Sequence, residues 1–452
     1  MRQTRRSSCR RPAGAAVSAV LIAAAGLQLG VAPGAGARAV ATDGWIVVLK
    51  EPAGASAADV PAVARELVGR AEGARLGHVY RAALHGFSVR MTRAQAARTA
   101  ADPRVALVRE DTRVALARQD TRATLTGQDT RVRPETPRER PAAADGARDR
   151  GRDGARIPSA RARLPQADET QPNAPWGLDR VDQRRLPLST TYTYRTTAPD
   201  VGVYVIDTGL RTSHQEFGGR ASVGVDTVGD GQNGNDCNGH GTHVGGVTAG
   251  ATYGVAKQAG LVAVRVLGCQ GSGTVSGVVA GIDWVTANAA RPAVANMSLG
   301  GGASDLVDRA VRGSIAAGVT YTVSAGSSGQ SGGACSSSPS RVPEAVTVGA
   351  SDRSDRVTPS SNHGPCVSLF APGDRIPSAW KDSDTATATL SGTSMATAHA
   401  AGAAALHLGL RPGDTPAQVK RGLVDNATAG VLQGGGRPVV PDKLLYTLYP
   451  AG

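Results

Sequence analysis

The sequence predicts an α/β fold, a doubly wound parallel sheet with helices on both faces, preceded by a small α+β unit. Three observations carry that prediction. From Trp176 onward, short runs that are β-branched and apolar on both faces alternate with windows of helical spacing, the pattern of a parallel sheet buried between helix layers. Residues 44–116 show the same two periods on a smaller scale. Residues 117–170 contain almost no large apolar side chain and cannot bury a core, so a disordered, protease-sensitive linker is expected there.

The elements follow in order. Residues 1–39 read as an export signal: Arg2, Arg5, Arg6, Arg10 and Arg11, an apolar alanine-rich stretch over 13–32, and the small-x-small exit Ala35-Gly36-Ala37-Arg38-Ala39. A membrane anchor is disfavoured because many apolar positions are Ala or Gly, and no other stretch is long enough to span a bilayer. In the small unit, residues 45–49 form a strand, and Val60, Val63, Leu67 and Ala71 mark a helix over 57–71. A strand at about 87–91 leads into the N-cap Thr92 and a helix over 93–101, and residues 105–108 are the last strand. In the large domain, 171–452, strands are expected over 201–206, 261–266, 294–297, 319–323 and 346–348. Helices are expected over 240–249, 275–287, 305–317, 393–408 and 416–424, with chemistry at the carboxyl ends of the strands.

Charge is distributed unevenly. From Gln171 onward there are 21 basic and 20 acidic residues, which leaves 29 and 17 of the total 50 and 37 for the first 170. The basicity sits in the part expected to be removed, so it gives no support to a nucleic-acid partner. Of five cysteines, Cys9 lies ahead of the apolar core of the signal. Cys237, Cys269, Cys335 and Cys366 are an even number in an exported domain, so two disulfides are expected, with three pairings open. No CxxC spacing suggests zinc. In the linker, Asp111-Thr112-Arg113-Val114 recurs as Asp120-Thr121-Arg122 and as Asp129-Thr130-Arg131-Val132.

Three strings carry the chemistry: Asp207-Thr208-Gly209, Gly239-His240-Gly241-Thr242-His243 and Gly392-Thr393-Ser394-Met395-Ala396. Alone, the first is a turn, the second an HxxH metal pair or a glycine-rich helix start, and the third a serine N-cap. Together, in the order Asp, His, Ser, they supply a carboxylate, an imidazole and a hydroxyl, the parts of an activated nucleophile. At a helix start the Ser394 N–H also faces a developing oxyanion.

With these motifs the chain resembles the subtilisin-type serine proteases, most closely the branch around proteinase K and aqualysin. The resemblance implies Asp207, His240 and Ser394 as the catalytic residues, with His243 a structural neighbour. Ser298, Leu299 and Gly300, Ser324, Ala325 and Gly326, and Gly271 and Gly273 match the substrate-binding segments of that family, where backbone groups pair with a peptide by strand addition. Small residues at Ala325 and Gly326 leave room for a large P1 side chain, and Val275 suggests an apolar P4 preference. The resemblance suggests the disulfides Cys237–Cys269 and Cys335–Cys366. Residues 40–116 are similar to the ferredoxin-like inhibitory propeptides of these enzymes, folding template first and product-like inhibitor afterwards.

Three positions depart from the family. Ser327 stands where an asparagine amide donates to the oxyanion, and Ala398 where proline is usual. Ser368 replaces an aspartate that binds structural calcium, leaving the Pro343 and Ala345 carbonyls; the metal set is unknown and structural calcium doubtful. The expected function is a secreted, monomeric serine endopeptidase, an extracellular enzyme that acts on polypeptide substrates, needs no cofactor for its chemistry and is inhibited by its own propeptide. Self-cleavage is expected somewhere between 143 and 173. The alternatives are a weakly active or inactive pseudoprotease that keeps the peptide groove, and an esterase using the same nucleophile.

Overall fold

The computed structural model describes residues 43–50, 59–116, 168–436 and 438–449. The expected signal over 1–39, most of the expected linker, and the first residues of the helix expected from 57 lie outside them.

The small unit runs β1 (Asp43–Leu49), α1 (Val60–Gly69), β2 (Arg75–Tyr80), β3 (Gly86–Met91), α2 (Arg93–Ala100), β4 (Val105–Glu110) and β5 (Arg113–Leu116). Its four-stranded sheet has the order β2-β3-β1-β4. The expected N-cap holds: the Thr92 side chain accepts from the Gln95 N–H, and the Gln95 side chain answers on the Thr92 N–H. β1 is apolar on both faces because both are covered. Val47 and Leu49 pack with Val60, Ala64, Leu67 and Phe87 in the core of the unit. Ile46 and Val48 turn the other way, into a cluster with Val275, Val278, Val279 and Ile282 of the large domain. β2 was not expected; its sequence Arg-Leu-Gly-His-Val-Tyr alternates poorly, and its register shifts between Leu76 and Val79.

The large domain opens with β6 (Glu169–Pro172), α3 (Trp176–Val181) and β7 (Thr191–Tyr194). The sheet then gathers β8 (Gly202–Asp207), β9 (Ala221–Asp226), β10 (Gly260–Arg265), β12 (Ala293–Met297), β14 (Thr320–Ser324), β16 (Val346–Ser351) and β17 (Leu369–Pro372). Between these in the chain lie α4 (His240–Ala249), β11 (Ser272–Thr274), α5 (Val275–Asn288), β13 (Leu299–Gly302), α6 (Asp305–Ala316) and β15 (Ser337–Ser338). The last elements are β18 (Ile376–Ala379), β19 (Thr387–Leu390), α7 (Thr393–Leu410), α8 (Pro416–Asn426), β20 (Thr428–Ala429) and β21 (Lys443–Leu444).

The nine-stranded sheet has the order β20-β21-β17-β16-β14-β12-β8-β10-β9 and is parallel except at the β20–β21 edge. Two apolar cores lie on its faces. One joins Val203, Val205, Val348 and Leu369 to α4 and α7, and the other joins Tyr204, Ile206, Val264 and Met297 to α5 and α6. The expected helices over 240–249 and 305–317 recur within one residue, and α7 runs unbroken through Ala398, where alanine keeps the backbone N–H that a proline would lack. β9 escaped sequence reading because its segment Ala-Ser-Val-Gly-Val-Asp sits at the sheet edge with little burial.

Candidate active site

β8 ends at Asp207, which is completely buried. Its Oδ1 accepts from the Thr208 N–H at 2.7 Å and lies 2.7 Å from Nδ1 of His240, the first residue of α4. The close approach depends on Gly241, since a Cβ there would stand 2.1 Å from the Gly209 carbonyl oxygen. Asp236, a residue the sequence reading missed, braces the junction. Its Oδ1 accepts from the Thr208 hydroxyl and from the Asn238 and Gly239 N–H groups, and its Oδ2 from the Thr242 N–H and hydroxyl. Burial pushes the Asp236 carboxyl upward despite these bonds. The signal was present: an aspartate just ahead of a glycine-started helix is a capping residue.

Ser394 is the second residue of α7, after Gly392 at φ 150°. Its Oγ donates to the Ser298 carbonyl at 3.1 Å, while the Ser298 hydroxyl donates to the Ser394 carbonyl at 3.0 Å. His240 Nε2 has no hydrogen-bond partner. The structure thus joins Asp207 to His240 and holds Ser394 against Ser298, without a bond between Ser394 and His240. Catalytic hydrogen bonds of this kind commonly tighten only when substrate is bound.

The oxyanion candidates meet at Gly392. A Cβ at that glycine would lie 3.7 Å from Ser327 Oγ and 3.9 Å from the Ser394 nitrogen, so both groups border one small space. Ser327 Oγ accepts from the Thr393 N–H at 3.3 Å and lies 3.1 Å from the Thr393 hydroxyl. Ala325 and Gly326 follow β14, held by Asn362, whose Nδ2 donates to the Ala325 carbonyl and whose N–H donates to the Gly326 carbonyl.

The rim segments are strands, and the chain fills the space between them itself. β5 of the small unit lies antiparallel between β11 and β13 in a sheet of order β11-β5-β13-β15. Ala115 pairs with Ser272, Val114 with Gly273 and Arg113 with Thr274, and the Leu116 N–H donates to the Gly271 carbonyl at 2.9 Å. On the other side Leu116 pairs with Leu299 and Ala115 with Gly300. Val114 points inward and is buried; Arg113 and Ala115 are exposed. Leu116, the last described residue of β5, therefore pairs with the neighbour of Ser298, whose carbonyl accepts from the Ser394 hydroxyl. Composition marked the linker as exposed but carried no information about which segment fills the groove.

Two carboxylates fasten the unit. Asp283 of α5 accepts from the N–H groups of Arg81, Ala82 and Ala83, and Asp111 of the unit accepts from the N–H and hydroxyl of Ser276 at the start of α5.

Cys237 is bonded to Cys269 and Cys335 to Cys366. Each bridge closes a loop of about 30 residues, a constraint of roughly 3–4 kcal/mol in the chain-entropy account. His243 Nε2 lies 3.0 Å from the Ile376 carbonyl and 3.2 Å from that of Ala388, and burial holds its pKa down at about 3. This neutral, carbonyl-bound ring does not form an HxxH metal pair. Among the described residues the only cluster of three metal-ligating groups is Asp230 with Cys237 and Cys269, whose sulfurs are bonded to each other. Calcium does not fit the place the resemblance implies. Lys420 Nζ donates to the Pro343 carbonyl at 2.6 Å and to that of Ala345 at 2.8 Å, and Ser368 Oγ accepts from the Thr347 N–H where a carboxylate would be needed.

Comparison with known proteins agrees with this geometry. The subtilase family pattern matches residues 199–440, and the peptidase inhibitor I9 pattern matches residues 45–117. The chain is 46% identical over 376 residues to an extracellular serine proteinase of Thermus sp. (strain Rt41A), covering 83% of this chain and 78% of that protein. It is 50% identical over 285 residues to alkaline serine exoprotease A of Vibrio alginolyticus, covering 63% and 52%, and so spans about half of that relative. Proteinase T of Parengyodontium album is 45% identical over 282 residues, with 59% and 94% covered. Among solved structures, a cold adapted subtilisin-like serine proteinase superposes with a TM-score of 0.59 at 50% identity, covering 61% of this chain and 99% of that one. No helix among the described residues is long and apolar enough to cross a membrane.

Proposed function

The chain belongs to the subtilase family, and on that premise we propose that this serine-type endopeptidase is exported as a zymogen and cuts itself first between Ala117 and Arg118. In this reading residues 1–39 are the signal, 40–116 the inhibitory propeptide, which leaves with Ala117 attached, the rest of the linker 117–170 is removed afterwards, and 171–452 is the catalytic domain. Ser394 attacks the scissile carbonyl. His240 takes the hydroxyl proton at Nε2 and returns it to the leaving amine, while Asp207 fixes the Nδ1–H tautomer and stabilises the imidazolium. The Ser394 N–H at the start of α7 and the Ser327 hydroxyl donate to the oxyanion. The Thr393 N–H donates to Ser327 Oγ, which leaves the Ser327 hydroxyl proton to serve either the oxyanion or the Thr393 hydroxyl. Water then hydrolyses the acyl-enzyme. No step calls for a cofactor.

The observation that supports this reading is the register of β5, whose last described residue, Leu116, pairs with Leu299 next to Ser298 and its contact with Ser394. Ser298, Leu299, Gly300, Gly271 and Gly273 then serve as the substrate-binding rim, accepting one extended polypeptide strand. The test is mass spectrometry of the full chain after expression. Propeptide ending at Ala117 is expected from the parent, and intact zymogen from Ser394→Ala. An identically processed Ser394→Ala protein would defeat self-cleavage. A protein that never labels with a fluorophosphonate probe at Ser394 would favour an inactive, groove-retaining pseudoprotease instead.

A further inference from the structure

The repeated string downstream of β5 is unused by the proposed function. What the groove requires of β5 can be stated position by position. Asp111 caps Ser276 through both carboxylate oxygens, at 2.9 Å to its N–H and 2.5 Å to its hydroxyl. The Thr112 carbonyl accepts from the Val275 N–H, the Val114 side chain is buried, and the Leu116 N–H donates to Gly271 while its side chain is half-buried. The second, third and fifth residues of this stretch are exposed. The demand is therefore aspartate first, a small apolar residue fourth, and leucine with a free N–H sixth.

Nine residues on, Asp120-Thr121-Arg122-Ala123-Thr124-Leu125 meets every one of those demands. The next copy, Asp129-Thr130-Arg131-Val132-Arg133-Pro134, fails at the sixth, because proline has no N–H to give to Gly271. We infer that residues 120–125 are a second ligand for the same groove: once residues up to 117 have left, they take the place of 111–116 while still joined to the catalytic domain. This rests on the proposed first cut after Ala117. The 41 residues between Thr126 and Asp168, at up to ~3.3 Å each, give a covalent reach on the order of 100 Å, so the tether permits it. Joined in one chain, the second copy meets the groove at an effective concentration that a free peptide does not match.

Bound in that register, the second copy sets Leu125 in the place of Leu116, so Thr126 follows it as Ala117 follows Leu116 in the sequence. Hydrolysis by one water breaks the Thr126–Gly127 bond, leaving a carboxylate on Thr126 and an amine on Gly127. Maturation is then an ordered series, and the catalytic domain remains occluded through its second stage. The third copy supplies no further stage.

The test follows N-termini of the full chain by mass spectrometry through maturation. Chains starting at Arg118 should appear first and be converted to chains starting at Gly127, with none starting at Thr136. Leu125→Pro, which removes the N–H as Pro134 does, should slow conversion at Gly127 at least tenfold and leave the appearance of Arg118 unchanged. Asp120→Ala should slow it less. A cut after Ala117 with no product at Gly127, or a Gly127 product unaffected by Leu125→Pro, overturns this inference alone. Absence of any chain beginning at Arg118 would instead defeat the reading of the first cut.

Discussion

The two sides of Ser394 are built differently. On the proton-transfer side, Asp207, His240 and Thr242 are buried and cross-braced by Asp236, which takes five hydrogen bonds from four residues. On the oxyanion side, a single rotatable hydroxyl, Ser327, stands where the family carries an amide, steadied only by Thr393. The difference teaches that, under the proposed mechanism, proton transfer and oxyanion binding rest on separate and unequally braced pieces of the molecule. In the proposed mechanism the buried relay carries the proton transfer and the rotatable Ser327 hydroxyl is the donor to the tetrahedral intermediate.

The comparison is broken most severely on the relay side. Asp207→Asn keeps the shape but favours the wrong tautomer, and kcat/KM for a peptide anilide should fall ~10⁴-fold. A fall under tenfold would mean that Asp207 does not orient His240.

On the other side, Ser327→Asn should raise the acylation rate ~10-fold or more, and Ser327→Ala should lower it up to ~10-fold. The upper bound of ~10²–10³ belongs to subtilisin's own amide donor and is carried over rather than derived. Stopped-flow acylation of purified variants checks both; identical rates for Ser, Ala and Asn would remove Ser327 from the oxyanion site.

The sealing itself has a pH signature. His243 and His399 are buried, and burial lowers their pKa values to about 3 and about 4. The unfolded chain therefore binds protons that the folded one refuses, so stability rises with pH from about 4 to the ordinary histidine value near 6.5 and falls on acidification through that window. Each ring contributes up to ~1.4 kcal/mol per pH unit. Urea titrations of the Ser394→Ala chain should show this slope, reduced in His399→Gln.

Ser368 provides the smallest and sharpest contrast, a lost family group that another residue replaces. Lys420→Met leaves two carbonyls without their ammonium and should lower the melting temperature by about 3–6 °C in chelator. Adding Ser368→Asp should restore the loss only when calcium is supplied. An unchanged melting temperature would show that Lys420 does not support the Pro343–Ala345 turn.

Much of this was legible beforehand because it is repetitive or local. Parallel strands such as β8 and β12 announce themselves as short apolar runs, and α4 and α7 begin at glycine-led motifs that mark the ends of the sheet. The reactive groups Asp207, His240 and Ser394 stand in recognisable strings. What escaped depends on distant partners. β5 looks like the start of a polar linker; it becomes a strand because β11 and β13 lend it edges. Lys420 is an unremarkable helix position until the Pro343 turn is brought against it.

The docking of the small unit on α5 has a consequence for timing. Before the first cut, Asp283 and Asp111 act within one covalent chain, so occupancy of the groove does not depend on how much protein is present. Afterwards the contacts are the same, but the unit is a separate molecule whose return obeys mass action. Under the proposed cut, destruction of a released unit by an active neighbour would lower the inhibitor available to all the others.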